Sequence, residues 1–155
     1  MEKRKRRKWP WVLLAILLFP CILYGGVALV NNGIAARLER QLRACPLPPE
    51  TELLDSTHIA GRLMANGNGM EWRGLLLLKS SLDEQALRDW YGEHFDDCAW
   101  VDRQETPTIY EYYDYRFEHF DPNAACWRVE LSDGSTVGCE DSFWEALLNT
   151  DLRGH

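Results

Sequence analysis

Cysteine, histidine and a run of tyrosines are the residues here from which reactivity or binding would be built. Of the five cysteines, Cys21 lies in an apolar run, and Cys45, Cys98, Cys126 and Cys139 follow it. In an exported domain an even set can close two disulfides, in any of three connectivities. Cys98 and Cys126, each on a predicted strand, are the expected pair, with buried free thiols as the alternative. No cysteine spacing is CxxC and no histidine accompanies a cysteine pair, so neither a metal nor another cofactor is expected.

The segment Tyr110-Glu-Tyr-Tyr-Asp-Tyr-Arg-Phe117 is the most suggestive surface. Counted as one strand, it sends Tyr113, Tyr115 and Phe117 to one face and Tyr110 and Tyr112 to the other. One aromatic face fills a core. Tyr110 and Tyr112 are then the candidate binding pair for a partner or ligand, with ordinary packing as the plain alternative.

Histidines 58, 94, 119 and 155 are scattered, and the sequence holds no HExxH, nucleophile elbow or phosphate-binding loop. Asp96, Asp97 and Asp141 lack the spacing of a calcium loop. If the chain were an enzyme, His94, Asp96, Asp97 and His119 would be its acid and base candidates. No catalytic residue is assigned.

These residues need elements to position them, and the N-terminus says where those elements stand. Six cations (Lys3, Arg4, Lys5, Arg6, Arg7, Lys8) precede an uncharged apolar run over residues 9–30. As a helix that run would reach roughly 33 Å, just over the hydrocarbon thickness of a bilayer. Three arginines (37, 40, 43) follow it, so the charge bias keeps the N-terminus cytoplasmic and displays the C-terminus. A cleaved signal peptide, cut near Ala35 and Ala36, is the competing reading, although the run exceeds a usual h-region.

Ile34, Leu38 and Leu42 then form an i, i+4 stripe, read as a stalk or as a seam for self-association. Cys45-Pro-Leu-Pro-Pro-Glu50 ends the helix and serves as a linker. The chain therefore divides into a basic tail (1–8), a membrane helix (9–30), a juxtamembrane helix and Pro-rich linker (31–50) and a displayed domain (51–155). The net charge is −7 overall and +5 over the first 30 residues, which leaves −12 beyond them. An exported surface that acidic argues against nucleic acid as a partner.

Within the domain, residues 51–64 read as extended, Asn66-Gly-Asn-Gly69 as a hairpin turn, and 70–80 as a strand buried on both faces. Ser81 and Glu84 fit a capping box, opening a helix to about residue 95 with Leu87, Trp90, Tyr91 and Phe95 on one face. Strands are expected over 98–101, 109–117 and 126–131, with a turn at Asp133-Gly134 and a helical spacing over 142–149. The predicted class is α+β: a membrane helix, then a mostly antiparallel sheet with one or two packed helices.

Gly67-Asn-Gly-Met70 and the terminal Asp151-Leu-Arg-Gly-His155 resemble segments of small, uncharacterised, membrane-anchored exported proteins of clostridial-type Gram-positive bacteria. The resemblance implies the anchored architecture and transfers no catalytic residue. The expected function is thus a membrane-anchored extracytoplasmic binding or accessory domain. Its partners would be the bilayer, through residues 9–30, and an envelope protein or a second copy. A hydrolase-like cell-envelope enzyme and a self-associating stalk are the alternatives.

Overall fold

The structure is a computed structural model, and it describes residues 9–61, 69–96, 99–110, 114–134 and 143–149. Its first element is α1 (Trp9–Ala44), a single helix of 36 residues that runs through Pro20. Two halves of this helix have opposite environments. Trp9, Trp11, Ile16, Leu17, Phe19, Ile22 and Leu29 are all more than 60% exposed. From Asn31 onward one face is buried, with Ala35 and Leu42 fully enclosed and Leu38 nearly so.

What encloses them is the chain's own sheet. β1 (Thr51–Gly61) and β2 (Glu71–Ser80) form an antiparallel hairpin. The loop between them, with most of the Asn66–Gly69 turn signal, lies outside the described residues. β3 (Ala99–Arg103) and β6 (Cys126–Gly134) complete four antiparallel strands in the order β1-β2-β6-β3. α2 (Glu84–Phe95) packs against β3, and α3 (Phe143–Leu148) against α1. The architecture is α+β, as the element pattern predicts.

Alternation along the central strands divides the core into two layers. Trp72, Leu76 and Leu78 of β2 and Trp127, Val129 and Leu131 of β6 meet α1 and α2, including Leu87 and Tyr91. Leu75, Leu77, Ile59 and Cys126 face the other way, under Ile109 and Phe117. Those two side chains belong to or border a small hairpin, β4 (Thr108–Tyr110) and β5 (Tyr115–Arg116). The apolar run at residues 75–78 is therefore buried on both faces, one face per layer.

One close approach fixes α1 on the sheet. A Cβ placed on Gly74 would stand 2.2 Å from the backbone nitrogen of Glu39 and 2.5 Å from the carbonyl carbon of Leu38. Only glycine lets the helix backbone come this near a strand. Leu38 and Leu42 of the stripe accordingly face the chain's own core, with Ile34 partly buried against it.

Three local expectations are corrected. The N-cap of α2 is Asp83, whose carboxylate accepts from the Ala86 N–H at 2.8 Å, while Ser81 donates instead to Glu50. The strand expected over 109–117 is two short ones, because Asp114 takes a left-handed backbone (φ 54°) that turns the chain back. Asp133 and Gly134 continue β6, paired to Trp72 and Glu71, and make no turn there.

Candidate functional site

The described part of the domain offers three polar assemblies, each at a different station along α1 and the sheet. The first lies where the exposed half of α1 becomes the buried half. Asn31 is 2% exposed, yet both ends of its amide are used. Its Nδ2 donates to the Leu148 carbonyl at 3.1 Å, and its Oδ1 accepts from the Trp72 indole N–H at 3.2 Å. Beside it the Asn149 Oδ1 accepts from the Met70 N–H at 2.8 Å. A buried amide is tolerable only when satisfied, so this arrangement locks α1, β2 and α3 together at one height.

Two turns further on, Glu39 of α1 reaches β1. Its carboxylate accepts from the Ser56 hydroxyl at 2.6 Å and meets His58 Nδ1 at 2.6 Å. Serine, histidine and an acid thus meet, but in the wrong order for hydrolysis. A nucleophile needs the imidazole between hydroxyl and carboxylate to take its proton. Here the carboxylate stands between the other two. The contact ties α1 to the edge strand.

The third assembly is a row of charges on the face opposite α1. Arg73 lies between Glu71, at 2.5 Å, and the buried Glu130, and also bonds the Tyr110 hydroxyl while its guanidinium sits 5.2 Å from that ring's centre. Arg128 extends the row to Asp102 at 3.5 Å. Burial alone would lower the Arg73 pKa, but Glu130, Glu71 and Tyr110 outweigh it and hold the guanidinium above its ordinary value. Burial, reinforced by Glu130 and partly offset by Arg73 and Arg128, pushes the Tyr110 phenol up to about 12. Arg73 is ion-paired and hydrogen-bonded to both glutamates, which offsets the cost of burying its charge, while Arg128 Nε stands 3.8 Å from Glu130 with no hydrogen-bond partner among the described residues.

Tyr110 is therefore placed half-buried beneath Arg73, where it pins the small hairpin to the sheet. Tyr112 lies outside the described residues. The expected Cys98–Cys126 bridge is corrected: Cys126 is a free, fully buried thiol, its Sγ 3.4 Å from the Asp121 carbonyl. The register explains this. The Cys126 carbonyl accepts from the Gln104 N–H, just past Arg103, at the opposite end of β3 from Ala99. That separates Cys126 from the start of β3 by about 13 Å of strand or more, far beyond a disulfide's reach. Cys98 itself, Cys139 and Asp97 lie outside the described residues.

The remaining acid and base candidates are dispersed. His94 Nδ1 contacts the Trp90 carbonyl at 2.7 Å on α2, and Asp96 is the left-handed C-cap of that helix. His119 is exposed beside Asp55, whose carboxylate accepts the backbone N–H groups of Glu118 and His119. Among the described residues, no three of histidine, cysteine, aspartate and glutamate are grouped so as to hold a metal ion.

Among the described residues, a concavity with polar lining lies at the far end from Asn31. It measures about 650 Å³ and is lined by Glu50, Thr51, Glu52, Lys79, Ser80, Ser81 and Ala125. Thr51 and Ser80 share a hydroxyl contact of 2.7 Å, and Ser81 donates to Glu50 Oε2 at 2.5 Å. Glu50 holds a left-handed backbone, φ 54°, a strained state for a residue with a Cβ. Sequence reasoning missed this cleft, since no motif announces it. It missed Gly74 too, although an isolated glycine within a strand pattern is the usual sign of close backbone approach. Comparison of the chain with protein-family models, with curated proteins and with solved structures finds no match.

Proposed function

We propose that this chain is a single-pass membrane protein, N-terminus cytoplasmic, which holds its α+β domain outside the membrane as a rigidly mounted binding or accessory module. One observation carries the reading: α1 is unbroken from its exposed apolar half into the core of the domain. Residues 9–30 have the length and hydropathy of a span and bury almost nothing against protein, unlike the core helix of a soluble fold. Cleavage near Ala35 and Ala36 would cut inside the packed helix and remove Asn31 from its three-element lock, which favours a retained anchor.

A helix that enters the core directly leaves no swivel between span and domain. The cleft at Glu50–Ser81 is then held at a set height, since the helix rises roughly 20 Å from Asn31 to Ala44. Its hydroxyls, carboxylates and single lysine suit a polar ligand or the polar segment of an envelope protein. The basic N-terminus supports the direction.

Protease treatment of intact cells carrying a C-terminal tag tests the mounting and its direction together. The expected result is a full-length, membrane-bound protein whose tag is removed from outside. A shortened product in the medium would contradict the anchor, and a protected tag would contradict the orientation.

A further inference from the structure

Along α1, Phe19, Ile22, Leu23, Gly26, Val27 and Val30 recur at helical spacing and form one wall of an apolar groove. Leu147 and Leu148 of α3 form the other wall, and the space between is about 280 Å³. The groove has a defined length. From Phe19 to Val30 the helix rises about 16 Å. If residues 9–30 cross a hydrocarbon layer about 30 Å thick, Phe19 stands near the midplane and Val30 at the surface. The α1 wall therefore runs the depth of one leaflet, the one on the domain's side, along the direction in which acyl chains lie, and Leu147 and Leu148 stand against it near its outer end.

Its upper end coincides with the change from apolar to polar lining. One residue past Val30, Asn31 bonds the Leu148 carbonyl and the Trp72 indole, so the wall made by α3 is fixed there. At Gly26 a Cβ would meet nothing within 4 Å, which leaves the floor of the groove open. A second membrane helix, about 10 Å across with its side chains, would need a broad free face. On this flank α3 already stands, and what remains is a slot.

We propose that this groove seats an acyl chain of a membrane lipid from the leaflet on the domain's side, and that α3 dips into that leaflet beside α1. The inference rests on α1 spanning the bilayer. It gives the domain a second point of contact with the membrane and orients it about the helix axis, which a single span alone would not do.

The test uses the full chain in nanodiscs of phosphatidylcholine carrying a photoactivatable diazirine midway along one acyl chain, with adducts mapped by mass spectrometry. Adducts are expected on Leu147 or Leu148 and on Leu23, in addition to the exposed Ile16 and Leu17. Gly26→Leu, which fills the floor, should reduce the α3 adducts severalfold and leave those at Ile16 and Leu17 unchanged. Adducts on Ile16 and Leu17 with none on α3 would overturn the groove proposal and leave the anchor standing. So would a chain-to-chain crosslink through Leu23 that replaced the lipid adduct. Absence of adducts anywhere on α1 would overturn the anchor itself.

Discussion

Tyr91 is fully buried, and its hydroxyl has no hydrogen-bond partner among the described residues. Burial, with a smaller contribution from Cys45, pushes its pKa well above the ordinary value. An unsatisfied buried hydroxyl costs free energy that phenylalanine would not, so Tyr91→Phe should raise stability by about 1 kcal/mol, read by urea denaturation. Both Tyr91 and Tyr110 have folded pKa values raised above the unfolded value near 10. The folded state therefore retains protons that the unfolded chain releases. Stability from these phenols is intact below pH 10, and the Tyr110 share is lost as the pH climbs towards 12. Thermal melts across that window should show a falling Tm, with a shallower fall in Tyr110→Phe. Little of this was legible beforehand. The spacing put Tyr110 and Tyr112 on one face, open to partner binding or to ordinary packing, but period-two counting assumes one continuous strand. The left-handed Asp114 breaks that assumption, and Arg73, which claims Tyr110, lies 37 residues away in sequence.

At the scale of elements, the contact of α1 with β2 decides the fold. Gly74→Ala would drive a methyl into the backbone of Leu38 and Glu39, where no side chain can swing aside. A loss of about 3 kcal/mol is expected, at the upper end for overpacking. Leu42→Ala should cost about 2–5 kcal/mol by opening a cavity beneath α1. Asp83→Ala should cost about 1 kcal/mol through the cap of α2, while Ser81→Ala leaves that cap intact. The strand at 71–80 was legible as an apolar run between turn signals, β6 by its alternation up to Leu131, and the helix at 84–95 by its apolar face, while 51–61 read only as extended. The stripe at Ile34, Leu38 and Leu42 was visible as well, yet periodicity shows that a face will be covered and not by what. The stripe read as a stalk or as a seam for self-association. The chain's own sheet is what covers it.

Taken whole, the molecule is one helix with a sheet folded onto its distal half, and a chain lacking that half would lose a wall of its core. A fragment from residue 31 retains Ala35, Leu38 and Leu42 and should unfold cooperatively. A fragment from residue 45 exposes Trp72, Leu76 and Leu78 and should aggregate or remain unfolded. Circular dichroism during thermal unfolding separates the two outcomes. The central claim, that span and domain form a single rigid body, is met most directly by electron spin resonance. Spin-label amino acids at position 17, on the exposed half of α1, and position 52, at the start of β1, report one distance in the full chain in nanodiscs. A single narrow distance distribution is predicted. A broad or multiple distribution would mean that the helix bends or swivels between Leu17 and the domain, at Pro20, at Gly25 and Gly26 or near Val30, and the rigid mounting would be contradicted.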